Sequence, residues 1–131
     1  MAKHFTIIIP TYNSAEWVAK NLNSACTQDY EAYDVIYIDD ASRDATAAAA
    51  KEYIHTNPFT KGKFTLIENP FNKGKMENMY HAVRQAVDNT IIIVLDGDDW
   101  LAHDGVLKKL NEIYSTGPVW MTNGSYQEDP T

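Results

Sequence analysis

Four short aliphatic runs, each leading into a polar cluster and then into a helical pattern, constrain this chain more than anything else in it. The runs are Phe5-Thr6-Ile7-Ile8-Ile9, Val35-Ile36-Tyr37-Ile38, Phe64-Thr65-Leu66-Ile67 and Ile91 to Leu95. Strands that alternate with helices build parallel βαβ units, because a parallel neighbour can only be reached by a crossover. After the first run, Asn13 is placed to cap a helix with Glu16 in capping-box spacing, and Ala15, Val18, Leu22 and Ala25 repeat at helical intervals. After the second, Ser42 or Asp44 caps an alanine-rich helix reaching about His55, which Asn57-Pro58 breaks. Asn69-Pro70 closes the third run. Met76, Met79, Tyr80, Val83 and Val87 then form an apolar stripe, ended by Asp88-Asn89. The Ile91 to Leu95 run lacks polar alternation, so both its faces are expected to be covered, as at the centre of a parallel sheet. Val106, Leu107, Leu110 and Ile113 mark a last helix stopped by Gly117-Pro118, and Val119-Trp120-Met121 is a candidate fifth strand.

With 131 residues and 44% hydrophobic content, the chain suits one globular domain over residues 1–131. A net charge of −7 argues against a nucleic-acid partner, because phosphate backbones are bound by excess Lys and Arg. It does not exclude a small phosphorylated ligand held through a cation, which reverses the local sign. Cys26 is the only cysteine, so no internal disulfide forms. The start, Met1-Ala2-Lys3-His4, lacks a signal-peptide layout, and no apolar block is long enough to span a membrane. The expectation is a cytoplasmic domain, with a homo-oligomer left open.

In an open parallel sheet, ligands gather beyond the carboxyl ends of the strands. The polar clusters stand there: Thr11-Tyr12-Asn13, Asp39-Asp40, Asn69 and Asp96-Gly97-Asp98-Asp99. Asp96 and Asp98 are two apart, so both carboxylates can face one point, and Gly97 allows close backbone approach to a ligand. Carboxylates a few ångströms apart repel unless a cation lies between them, and Mg²⁺ or Mn²⁺ suits such oxygen ligands. The plain alternative is a solvated turn before the next helix. Asp39-Asp40 can accept from a base imide N–H or a ribose hydroxyl, or else serve as a cap. Tyr12 can stack on a base or sit half buried in an ordinary turn. Lys73 and Lys75, beside Gly74, can neutralise a diphosphate, although solvated lysines are common near turns. His81 and His103 read as surface residues, and Trp17, Trp100 and Trp120 as core or edge aromatics.

Together, Ile8-Ile9-Pro10-Thr11-Tyr12-Asn13, Val35 to Asp44, Asn69-Pro70 with Asn72-Lys73-Gly74, and Ile93 to Leu101 resemble the inverting glycosyltransferases of family 2. The resemblance implies an α/β fold of the GT-A (Rossmann-like) type, three layers α/β/α around a mainly parallel sheet, truncated at the C-terminus. It implies transfer of a sugar from a nucleotide-diphosphate sugar, UDP-linked by preference, to an acceptor it does not name. Pro10, Thr11, Tyr12 and Asn13 would line the nucleoside pocket, and Asp39 or Asp40 would bind the base. Asn72, Gly74 and Lys75 would lie along the donor. Asp96 with Gly97 would touch the sugar or ribose. Asp98, with Asp96, would hold Mn²⁺ or Mg²⁺ on the diphosphate.

Three departures stand out. The usual Gly after the acid pair is Ala41, expected to alter turn geometry slightly. Met79-Tyr80 stands where an Arg-Asn pair is common. The family's catalytic base lies on a later segment, Glu128-Asp129 read as tail, and no residue here is assigned that role; binding without efficient transfer is the alternative. A receiver domain would place its acid pair after the first strand and a Lys after the last. A haloacid-dehalogenase-type phosphatase would follow its second Asp with Gly-Thr, where this chain has Asp99-Trp100.

Overall fold

The computed structural model describes residues 2–57, 60 and 62–117. Its strands are β1 (His4–Thr11), β2 (Tyr33–Asp39), β3 (Phe64–Glu68) and β4 (Thr90–Val94); its helices are α1 (Val18–Cys26), α2 (Thr46–Thr56), α3 (Lys75–Gln85) and α4 (Val106–Ser115). The sheet order is β3-β2-β1-β4, and every pairing is parallel. Thr11 pairs with Asp39, and Asp39 with Glu68, so the ends of β1, β2 and β3 form one rim. Pro10, which has no N–H to donate, stands just past the last β1–β4 pair, Ile8 with Val94.

Period-two alternation along the strands divides the core between two faces. Phe5, Ile7, Ile9, Val35 and Tyr37 meet Val18, Leu22 and Ala25 of α1, Ala50 and Tyr53 of α2, and Leu107 of α4. Ile8, Ile36 and Ile38 meet Ala82 of α3, with Met79 packed alongside. Three layers result, with α3 the only helix on its side among the described residues. Among the described residues no helix is long and apolar enough to cross a membrane. The fifth strand expected at Val119 to Met121, and Trp120 with it, lies outside the described residues.

Three local expectations are corrected. The fully covered strand is β1, whose residues from Phe5 to Thr11 are all buried; β4 lies at the edge of the described sheet, and Val94 is 50% exposed. Ile91 and Ile93 pack partly buried against one core and Ile92 against the other, so both faces are partly covered, but among the described residues β1 is the only strand paired with β4. The stripe of Met76, Tyr80, Val83 and Val87 faces outward, with Met76 85% exposed, and the buried members of α3 are Asn78 and Ala82. A polar bond to the rim, described below, turns Asn78 inward and rotates the stripe away. Finally, Asn13 and Glu16 form no capping box. Asn13 has φ +51°, and a 3₁₀ turn (Ala15–Trp17) precedes α1 without a side-chain cap.

Candidate functional site

The loops after β1 and β2 are stitched together by side chains. The Asn13 N–H donates to Ser42 Oγ at 2.8 Å, and Asn13 Oδ1 accepts the Arg43 N–H at 2.8 Å. The N–H groups of Ser14 and Ala15 donate to Thr46 Oγ1 and Asp44 Oδ2. Asp44 also takes the Thr46 N–H at the start of α2, while the Ser42 hydroxyl turns instead to Asp39 Oδ1 at 2.5 Å. These bonds to a carboxylate acceptor hold Asp44, led by the Thr46 hydroxyl, below the usual carboxylate range.

Asp39 and Asp40 are both buried, at 4% and 5% exposure, and they differ in what they hold. Asp40 Oδ1 accepts the Lys73 N–H at 2.8 Å and the Asn69 amide at 2.9 Å; Oδ2 accepts the Gly74 N–H at 2.9 Å. The Asn69 amide also donates to Asn78 Oδ1 at 2.7 Å, and Asn72 donates to the Asp40 carbonyl. Burial alone would raise the Asp40 pKa. The donors from Lys73, Asn69, Gly74 and Asn78 outweigh it and hold the group ionised below its ordinary range. Asn72 and Gly74 thus reach the rim through Asp40, and Asp40's carboxylate is engaged in folding the 69–74 loop.

Gly97 sits against β1. Its N–H donates to the Pro10 carbonyl at 3.2 Å, and a Cβ there would lie 2.3 Å from Thr11 Cγ2 and 2.9 Å from Thr11 Cβ. The close approach that the absence of a side chain on Gly97 allows in this structure is to Thr11. Thr11 is itself buried and donates through Oγ1 to the Ile38 carbonyl at 2.8 Å. Tyr12, by contrast, is 44% exposed on the rim between these loops.

Asp96, Asp98 and Asp99 each present a carboxylate oxygen, and these oxygens lie within 4.8 Å of one another. Lys75, the first residue of α3, reaches Asp96 Oδ1 at 2.6 Å. Burial, then repulsion from Asp98 and Asp96, pushes the Asp99 carboxyl up, and Lys75 offsets part of this. Three carboxylate oxygen donors whose repulsion Lys75 only partly offsets fit a hard divalent cation. The pair expected from spacing, Asp96 and Asp98, is therefore joined by Asp99, whose place next in the same run was its only signal. Met79 packs on the sheet, and Lys75 places its ammonium beside Asp96.

His81 is exposed, pairs with Glu77 along α3 and lines a cavity with Asn69, Lys73 and Asn78, whereas His103 accepts the Gly105 N–H. Trp17 and Trp100 stack at 5.9 Å with Lys20 over Trp100, an edge cluster as expected. Burial pushes the Cys26 thiol up to about 12, which removes it as a nucleophile.

The family model for glycosyl transferase family 2 matches residues 6–131. This chain belongs to that family. The receiver and phosphatase readings end there. The poly(ribitol-phosphate) beta-N-acetylglucosaminyltransferase TarS of Staphylococcus aureus is 31% identical over 99 residues, 74% of this chain and 16% of TarS. An uncharacterized glycosyltransferase of Haemophilus influenzae is 31% identical over 121 residues, 92% of this chain and 46% of that protein. Among solved structures, the mannosyltransferase PcManGT of Pyrobaculum calidifontis, in complex with GDP-Man and Mn²⁺, is similar with a TM-score of 0.77 at 27% identity. That match covers 90% of this chain and 34% of PcManGT. S. aureus TarS 1-349 in complex with UDP-GlcNAc is similar with a TM-score of 0.72 at 26% identity, covering 86% of this chain and 31% of that structure. The fold is thus that of the N-terminal part of GT-A glycosyltransferases, and this family 2 chain spans less than half the length of these relatives.

Proposed function

We propose that this chain binds a nucleotide-diphosphate sugar at the carboxyl edge of its sheet, with Mn²⁺ or Mg²⁺ held by Asp96, Asp98 and Asp99. The observation that carries the reading is the convergence of these three carboxylates beside Gly97, which packs directly against the end of β1. Tyr12 offers its exposed ring to the base. Of the acid pair, Asp39 is assigned to the nucleoside, because both Asp40 oxygens serve the 69–74 loop. Lys75 lies close enough to Asp96 to answer a negative diphosphate at the same point. When bound, the cation supplies Lewis-acid stabilisation of the charge that develops on the departing diphosphate. A UDP-sugar is the favoured donor, in line with the UDP-GlcNAc complex of TarS, and GDP-Man in PcManGT names the alternative base. Sugar transfer to an acceptor is proposed for the protein to which these residues contribute, with the acceptor-activating base not assigned to any residue described here.

Calorimetry with UDP and GDP tests the reading. UDP is expected to bind in Mn²⁺ and to lose most of its affinity in EDTA. Asp98→Ala should abolish that metal dependence while thermal unfolding stays cooperative. Equal UDP binding with and without EDTA would remove the cation from the site.

A further inference from the structure

The polar side chains of α1 supply a component of the rim that no motif announces. Asn21 is fully buried, and its Nδ2 donates to the carbonyls of both Asp96, at 3.1 Å, and Asp99, at 2.8 Å. The Asp99 N–H closes the same turn onto the Asp96 carbonyl at 3.0 Å. Three residues along, Ser24 Oγ accepts the Leu101 N–H at 2.9 Å and donates to the Asn21 carbonyl. Four further on, Gln28 donates to the His103 carbonyl at 2.8 Å and accepts the Leu107 N–H at 3.0 Å. Spacing of three places Asn21 and Ser24 on one face of α1, and Gln28 continues the line just past the end of the helix. That line grips the backbone from Asp96 to Leu107, the stretch carrying all three acids.

We propose that Asn21 is a positioning residue of the cation site, clamping the Asp96–Asp99 turn so that its three carboxylates stay convergent, with Ser24 and Gln28 anchoring the segment that follows. Like charges held within 4.8 Å push the turn open, and a single amide bonded at both ends of the turn opposes that push. Packing alone gives no reason for an amide here. Asn21 Oδ1 is buried without a hydrogen-bond partner among the described residues, which an apolar residue of similar size would avoid. What the amide provides, and such a residue would not, is the grip on two carbonyls. Groups that orient metal-binding side chains commonly change cation affinity by about 10- to 100-fold when removed.

This inference rests on the donor-binding reading, and one experiment separates the two. Free Mn²⁺ is titrated against the full chain by electron paramagnetic resonance, with UDP present, alongside thermal unfolding and amide exchange of residues 97–101. Asn21→Leu should weaken Mn²⁺ binding about 10-fold and speed exchange in that turn, while the unfolding temperature stays close to wild type. Ser24→Ala should move Mn²⁺ affinity the same way by a smaller factor, and it serves if Asn21→Leu does not fold. Mn²⁺ affinity within twofold of wild type in both variants would overturn the role of Asn21, even with lowered stability. A wild-type chain that takes up no Mn²⁺ with UDP would sink the donor-binding reading, and this role with it.

Discussion

Ala41 occupies a backbone conformation that suits glycine. Its φ of +60° lies in the left-handed region, where a Cβ crowds the neighbouring carbonyl at a cost of about 1–2 kcal/mol. Glycine would remove that strain but lose more chain entropy, about 0.5–1 kcal/mol. Ala41→Gly is therefore expected to stabilise the chain by roughly 0.5–1 kcal/mol, read as a higher urea midpoint at unchanged slope. A lower midpoint would mean that this turn carries no strain. Next to it, Asp40 titrates below the ordinary range because its donors favour the carboxylate. An unfolded-chain Asp titrates near about 3.9, so the stabilisation from this lowered group is complete above that pH and is lost as pH falls through the folded value. Bonds to a buried charge contribute about 1.5–3 kcal/mol, and Asp40→Asn should cost an amount of that order at pH 7. The gap between wild type and variant should shrink on acidification below about pH 4. A gap that stays constant down to pH 2 would show that the charge is not what holds the 69–74 loop.

At the level of elements, the decisive contact is the turn after β4 against the end of β1. Gly97→Ala would drive a methyl to 2.3 Å from Thr11 Cγ2, which forces the acidic turn outward at a cost of about 1–3 kcal/mol. Thr11→Ser removes that Cγ2 and keeps the hydroxyl bonded to Ile38, so the double variant should recover part of the loss. A double-mutant cycle in denaturant measures the coupling, and strict additivity would place the strain elsewhere. This contact also marks what was legible beforehand. The strands, their parallel order of use and the rim of polar clusters followed from runs such as Ile7 to Ile9 ending in Pro10-Thr11, because those patterns are local. Edge and centre were not local. β4 is as aliphatic as β1, and only the pairing of β1 with both β2 and β4 shows which strand is enclosed. The outward turn of the Met76 stripe was hidden for a similar reason, since the bond between Asn69 and Asn78 that sets the facing of α3 joins two separate elements. Asn21 did leave a trace: it falls between Val18 and Ala25 in the inward stripe of α1, and a polar residue at such a place signals a specific partner.

Across the whole molecule, the two ends of the sheet have separate duties. The carboxyl rim concentrates negative charge from Asp96, Asp98 and Asp99 in a chain whose net charge is already −7, and the donor-binding proposal sets a cation against it. The opposite end carries a closed hydrogen-bonded group instead. Thr90 Oγ1 lies 2.7 Å from His4 Nδ1 and 2.9 Å from Thr6 Oγ1, and the Thr6 hydroxyl donates to Asp34 at 2.7 Å. These bonds join the starts of β1, β2 and β4, and no rim residue takes part in them. Along β1, Thr6 of this group and Thr11 of the rim stand about 17 Å apart at a strand rise of about 3.3 Å per residue, beyond the range over which substitutions usually couple. Thr90→Val keeps the shape of the side chain and deletes its hydroxyl, and should lower stability by about 1–2 kcal/mol. Mn²⁺-dependent UDP affinity, measured by calorimetry on the folded variant, should stay within about twofold of wild type because distant sites act independently. A large change in that affinity would mean that the sheet transmits strain along β1, and that the rim is set by the far end of the fold as well as by the loops around it.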